Sequence, residues 1–391
     1  MKKLGILTLV FHNYGTALQA YAMGEILKRI KPQGTDVEVL NLETPWNRTS
    51  LSLFHFLVQI VRTYKWRSIG YCVNLVRWFL DSRNIRKIDH SNEVKKRDTL
   101  FLHLDGLIPY TEKKYTYDDI RQGMLNNYDA VLVGSDQVWN ELKIGNPDIF
   151  GLEYFRQKKL TYAASFGTES VSSENFEKYK KNIGTFDSLL MREQEGVDIC
   201  KSMGRDDAKL VLDPTLLLSG NEYDELVTRG EMNEHEDFVL VYSLNFSYKI
   251  YSQAYKLAKK NKCKMIVLKR SFCPPNVNKF KDAEELYAVS PEGFLWLIKH
   301  AKCVVTNSYH AMLFSINFNR NFYIYLDNRS EANSRILSIT RLLGLEKRVF
   351  WETQSLPDAI NDIDYKEPND LLAEHRQQSI DLLERSLLVL N

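Results

Sequence analysis

Apolar residues recur along the chain in two alternating patterns. The run LGILTLVF, from Leu4, is short and continuous, as a strand buried on both faces of a parallel sheet has to be. NYGTALQAYAMGEILKRI follows with helical spacing, so that Leu18, Tyr21, Ala22, Ile26 and Leu27 share one face. DVEVLNLE then reads as a second strand. Strand, helix and strand in about 40 residues make a βαβ unit and predict a parallel sheet. The pattern resumes in YDAVLVGSDQVW, KLTYAASFG, FDSLLMREQEGVDICKSMG and AKLVLDPTLLL.

A second series begins after Gly220. EDFVLVYSLN, CKMIVLKR, KCVVTNS and NFYIYLD read as strands, and YSQAYKLAKKN, SPEGFLWLIKHA and HAMLFSINFN as helices. Ser290 is suited to cap the second of these helices, with Pro291 in its first turn. The chain is therefore expected to be α/β, with two Rossmann-like domains that divide near residues 214 to 235. We expect an N-terminal domain over 1–220, a C-terminal domain over 221–365, and an amphipathic helix over 366–391 packing back across the junction.

Residues 50–110 break the alternation. They are rich in aromatic and basic residues, with ten Lys or Arg against three Asp or Glu from Arg62 to Arg97, and carry no strand signal. A helical insertion is expected. Either it packs on the N-terminal domain with its cations solvated, or it meets anionic lipid or a lipid diphosphate.

At 391 residues the chain is long for one core. A net charge of +2 gives no reason to expect nucleic acid, which would need a local basic patch. The five cysteines, Cys72, Cys200, Cys263, Cys273 and Cys303, are scattered without zinc-ligand spacing and read as reduced thiols of a cytoplasmic protein. The apolar start has no cleavage site after it, and no segment reaches the ~18 apolar residues of a membrane span.

Ligands of open parallel sheets bind beyond the carboxyl ends of the strands. Those ends carry His12-Asn13-Tyr14-Gly15, Gly134-Ser135-Asp136-Gln137, Phe166-Gly167, Arg192-Glu193 and the pentad Thr306-Asn307-Ser308-Tyr309-His310. Each has a bland reading. Asp136 would cap a helix, Arg192 would pair with Glu195 at the surface, and Asn307 and Ser308 would cap the helix that holds His310. No complete dinucleotide or P-loop fingerprint is present. Taken together, a helix opening at Ser308 or Tyr309 would aim free N–H groups into a cleft, and a bound anion would draw His310 into its acidic form. Arg192 would add a bidentate clamp. The cleft reads as a site for a small, multiply anionic donor.

NYGTALQAYAMGEIL, YDAVLVGSDQVW, LTYAASFGTES, SLLMREQEGVDICKSMG, LVLDPTLLL and AKCVVTNSYHAMLFSINF, in this order, resemble the polysaccharide pyruvyl transferase family. The resemblance implies a fold similar to GT-B glycosyltransferases. It implies transfer of the enolpyruvyl carbons of phosphoenolpyruvate to two hydroxyls of one sugar, giving a cyclic ketal and phosphate. His310 would be the general acid and Arg192 a donor ligand, with Asn307 and Ser308 beside them. Some relatives have arginine where Ser308 stands, and Arg335 is the substitute we expect. Asp136 or Glu193 would take the hydroxyl proton, and Asn13, Gly15 and Gln137 would meet the acceptor. No metal or cofactor is implied, phosphoenolpyruvate being a co-substrate. The acceptor would be a lipid-linked glycan at the cytoplasmic membrane face. The alternatives are a nucleotide-sugar glycosyltransferase and a non-catalytic glycan-binding member of the assembly machinery.

Overall fold

The computed structural model describes residues 1–43, 90–141, 147–234, 236–244, 248–269, 280–286, 289–326 and 333–391. Two parallel sheets organise the chain. The first comprises β1 (Lys2–Leu7), β2 (Thr35–Leu42), β3 (Tyr110–Tyr115), β4 (Ala130–Val133) and β5 (Lys158–Thr161), in the order β3-β2-β1-β4-β5. A short pair, β6 (Leu190–Met191) and β7 (Lys209–Leu210), continues its β5 side through a bridge from Leu160 to Ser188. The second sheet comprises β8 (Phe238–Tyr242), β9 (Lys264–Leu268), β10 (Ala283–Leu286), β11 (Cys303–Thr306), β12 (Phe322–Leu326) and β13 (Val349–Trp351), in the order β10-β9-β8-β11-β12-β13.

Continuous apolar runs form the centre of each sheet because helices cover both faces there. Every residue of AVLV in β4, FVLVY in β8, CVVT in β11 and FYIYL in β12 is buried. In each sheet the strand order reverses once, between β1 and β4 and between β8 and β11. Those reversals are where loops diverge and leave a crevice for a ligand.

The helices that frame the crevice are α1 (Tyr14–Ile30), α2 (His90–Leu107), α3 (Gln194–Ser202), α4 (Pro291–His300), α5 (Tyr309–Asn317), α6 (Ser334–Leu342) and α7 (Lys366–Leu387). Ser290 caps α4 by accepting from the Gly293 N–H, and Pro291 opens it, as its sequence requires. One apolar core runs through the junction of the two halves, joining Leu18, Leu132 and Leu216 to Leu240, Phe294 and Leu313. Tyr14 crosses the same junction: its hydroxyl donates to the Val289 carbonyl at 2.8 Å. The helix α7 closes the junction from outside, with Ser379 accepting from the Leu212 N–H at 3.0 Å and Arg376 donating to the Leu216 carbonyl at 2.6 Å.

Three strands escaped the sequence reading. The segment Tyr110–Tyr115, which begins where the insertion expected to be helical ends, is the edge strand β3, and β10 and β13 flank the second sheet. Edge strands tolerate polar residues, so YTEKKY and AEEL carry no apolar run. Of the basic insertion, residues 90–107 form α2, and residues 44–89 lie outside the described residues. Cys200, Cys263 and Cys303 are buried free thiols, while Cys72 and Cys273 fall outside the described residues. Among the described residues no helix is long and apolar enough to cross a membrane.

Candidate active site

The loops at the two strand reversals meet each other. After β1, the Asn13 side chain caps α1 by accepting from the Gly15 N–H at 3.1 Å. After β11, Ser308 caps α5 by accepting from the Ala311 N–H at 3.4 Å. The two first turns then abut. A Cβ on Gly15 would lie 2.0 Å from His310 Nδ1, so only glycine permits this approach.

Asp136 follows β4 and caps no helix. Its φ of 75° is left-handed, a region that aspartate tolerates better than most residues. Its Oδ2 accepts from Thr16 Oγ1 at 2.9 Å and its Oδ1 from the Gln137 N–H at 2.8 Å. Burial would raise its pKa, but the cationic Arg192, with His310 and Arg335, outweighs burial and keeps it below the ordinary carboxylate value.

Arg192 follows β6 and is 4% exposed, so the surface pairing with Glu195 does not occur. Its Nη1 donates to Asp213 Oδ2 at 3.1 Å. Asp136 Oδ1 and Glu193 Oε2 stand at 3.7 and 3.8 Å, close enough for attraction and too far for hydrogen bonds. Burial works against its charge, yet Tyr309, Asp213, Asp136 and Glu193 together hold the guanidinium protonated more firmly than usual. It lies over the Tyr309 ring at 4.9 Å, and Arg335, from the first turn of α6, lies over the same ring at 5.1 Å. Burial and then the nearby Arg192 lower the pKa of Arg335.

Asp213, at the cap of Pro214–Leu217, is the hub. Its Oδ1 accepts from the Thr215 N–H and hydroxyl, and its Oδ2 from Arg192 and from Ser135 Oγ at 3.2 Å. His310 Nε2 faces the same Oδ2 at 3.7 Å. Burial alone would push this carboxyl up, but His310, Arg192 and the Thr215 N–H hold it well below the usual range.

Glu193 is fully buried, and its Oε1 accepts from Ser165 Oγ at 2.8 Å and the Gly167 N–H at 3.2 Å. Several buried polar atoms here have no hydrogen-bond partner: Arg192 Nε and Nη2, Arg335 Nε, Glu193 Oε2 and His310 Nε2. Buried donors without acceptors are costly unless a ligand supplies them. Two guanidiniums with unused N–H groups beside an imidazole fit a phosphorylated carboxylate, and Glu193 Oε2 is free to accept a proton.

The structure thus gathers Gly15, Asp136, Arg192, Ser308, His310 and Arg335 at one place. It turns Asn307 away, since its Oδ1 accepts from the Leu244 N–H at 2.7 Å and its Nδ2 donates to Ser243, tying the ends of β11 and β8. The Gln137 amide lies against Gly167, where a Cβ would stand 2.0 Å from Nε2. Asp213 and Thr16 are absent from the strand ends that the sequence points to, and Ser135 and Tyr309 stand among those ends with no role assigned to their side chains. Asp213 did sit in a recognisable strand–Asp-Pro signature, the residue pair that ends a strand and opens a helix.

The sequence profile of the family described as polysaccharide pyruvyl transferase matches residues 13–330. No curated protein matches the sequence. Among solved structures, UDP-GlcNAc 2-epimerase from Methanocaldococcus jannaschii, in complex with UDP-GlcNAc and UDP, has a TM-score of 0.50 at 11% identity, over 99% of this chain and 93% of that one. A putative UDP-N-acetylglucosamine 2-epimerase from Listeria monocytogenes has a TM-score of 0.50 at 10% identity, over 98% and 91%. At such identities the likeness is one of fold, the GT-B arrangement of two Rossmann-like domains about a cleft. Since the family match spans most of its length and takes in Asp136, Arg192, Asp213 and His310, the chain belongs to the polysaccharide pyruvyl transferase family.

Proposed function

We propose that the protein transfers the enolpyruvyl carbons of phosphoenolpyruvate to two hydroxyls of one sugar, forming a cyclic pyruvate ketal and releasing phosphate. The observation that carries this reading is the pair of guanidiniums, Arg192 and Arg335, gathered beside His310 with N–H groups that have no partner. A donor that is both phosphate and carboxylate needs two such groups.

The donor carbon becomes electrophilic when its methylene is protonated, and His310 supplies that proton. The first hydroxyl loses its proton as its oxygen bonds to this carbon. Asp136 already accepts at both oxygens, whereas Glu193 Oε2 accepts nothing, so Glu193 takes the proton. The adduct expels phosphate, which Arg192, Arg335 and the α5 N-terminus stabilise and which leaves with the Glu193 proton. The second hydroxyl then closes the ring.

In this reading the acceptor is a lipid-linked glycan, met from the loops of Asn13, Gly15 and Gln137 at the cytoplasmic face of the membrane. The basic insertion would contribute contact with anionic lipid. No cofactor takes part in these steps.

The test is phosphate release from phosphoenolpyruvate with lipid-linked galactose and N-acetylhexosamine acceptors, for wild type and His310→Ala. The glycan should gain the mass of pyruvate less one water, and the variant should abolish that gain. Transfer of sugar from a nucleotide donor, without consumption of phosphoenolpyruvate, would replace this reading with a glycosyltransferase. Binding of glycan with neither reaction would leave a non-catalytic member.

A further inference from the structure

An imidazole that delivers a proton from one nitrogen needs the other nitrogen held, because the ring's orientation and tautomer follow from that second contact. The two nitrogens of His310 have unlike surroundings. Nε2 is buried, has no hydrogen-bond partner and faces Asp213 Oδ2 at 3.7 Å. Nδ1 lies against the bare backbone of Gly15, where a side chain would collide with it.

Asp213 is itself immobilised. Thr215 donates to its Oδ1 from the backbone at 3.0 Å and from the hydroxyl at 2.8 Å, while Arg192 and Ser135 donate to its Oδ2 at 3.1 and 3.2 Å. A fully buried carboxylate held at four points keeps its charge in one place, and that charge favours a proton on whichever nitrogen faces it.

We infer that Asp213 is the positioning residue of His310: it keeps a proton on Nε2, so that Nδ1, the nitrogen that Asp213 does not face, is the one that delivers its proton to the donor. The identity of the protonated carbon rests on the pyruvyl-transfer reading; the placement of the ring proton does not. In that reaction the Nδ1–H bond breaks as the methylene C–H bond forms. The ring is left neutral, with its remaining proton on Nε2. When the second hydroxyl closes the ketal, its proton returns to Nδ1 and the imidazolium is restored. Since Oδ2 also holds Arg192, one atom fixes the spacing between the acid and the donor clamp.

The experiment is ¹⁵N NMR of histidine-labelled protein, with His310→Gln identifying the His310 signals, beside steady-state kinetics of Asp213→Asn. In wild type the neutral His310 ring should carry its proton on Nε2. In Asp213→Asn, the two Thr215 donors keep the amide oxygen on their side, which turns the NH₂ toward Nε2 and drives the ring proton to Nδ1. The kcat for ketal formation should fall by about 10³-fold or more, as a wrong tautomer does in other histidine-dependent enzymes, with a smaller change in KM for phosphoenolpyruvate. A wild-type ring protonated on Nδ1 would overturn the inference, and so would wild-type kcat in Asp213→Asn. Should that variant not fold, the wild-type spectrum still decides. A wild type that shows the Nε2 proton but makes no ketal would count against the pyruvyl-transfer reading alone.

Discussion

Tyr14 and Phe294 stack with ring centroids 4.5 Å apart and 6° between their planes, and they belong to opposite halves of the molecule. Phe101 of α2 stacks on Tyr14 as well, at 5.7 Å, and the Tyr14 hydroxyl reaches the Val289 carbonyl. Tyr14→Ala should therefore cost about 3–5 kcal/mol by opening a cavity at the junction. Tyr14→Phe should cost about 1–2 kcal/mol, for a carbonyl left without its donor. Urea unfolding measures both. Equal losses for the two variants would mean that the stack contributes little.

The two arginines should separate stability from binding. Arg192→Gln leaves Asp213 buried without its cation, so it should destabilise by about 3–5 kcal/mol. Among the described residues Arg335 has no carboxylate at hydrogen-bond distance, and its charge is disfavoured by burial and by Arg192. Arg335→Gln should leave the melting temperature unchanged or raise it, while KM for phosphoenolpyruvate rises about 10–100-fold, the worth of a charge-assisted hydrogen bond. Unaltered KM would remove Arg335 from the donor site.

Glu193→Gln keeps an amide oxygen for Ser165 and the Gly167 N–H but cannot take a proton. We expect kcat to fall about 10²–10⁴-fold with little change in melting temperature. The corresponding Asp136→Asn variant should lose less, and the reverse order would make Asp136 the base.

His12 sits between Asp98 Oδ1 at 2.6 Å and Asp105 Oδ2 at 2.9 Å, both on α2. The Asp105 hydrogen bond raises its pKa above 6.5, partial burial opposes that, and Asp98 adds to the rise. A raised pKa in the folded state stabilises fully below the unfolded value and is lost as pH climbs through the folded one. The gap in melting temperature between wild type and His12→Asn should thus be wider at pH about 6 than at pH about 9. A gap independent of pH would show that the pair is not charged.

Central elements were legible in the sequence because local and tertiary preferences agree there. CVVT is buried on every side and is followed two residues on by a capping serine, so strand, turn and helix could be read in register. In β3, YTEKKY buries only Thr111 and Tyr115 and half-buries Tyr110, and its pairing with β2 supplies what its sequence lacks. The site shows the same division. His310 and Arg192 stand at recognisable strand ends. Asp213 follows a two-residue strand and acquires its role from Arg192 and His310, groups that only the folded chain brings to it. Asn307 looked equivalent to its neighbours in the pentad, but its side chain replaces a missing ladder bond between β11 and β8.

The helix α7 leaves the ribosome after both sheets, yet it binds backbone groups at Leu212 and Leu216, which precede their partners on α7 by 167 and 160 residues. Until it arrives, the Leu212 N–H and the Leu216 carbonyl lack their α7 partners, and the core beneath them lacks Leu383 and Leu387. Both sheets can form in order of synthesis, but the seam between them is sealed only once α7 has emerged. A nascent chain of this protein therefore exposes an apolar strip until α7 has emerged, the kind of surface that chaperones bind.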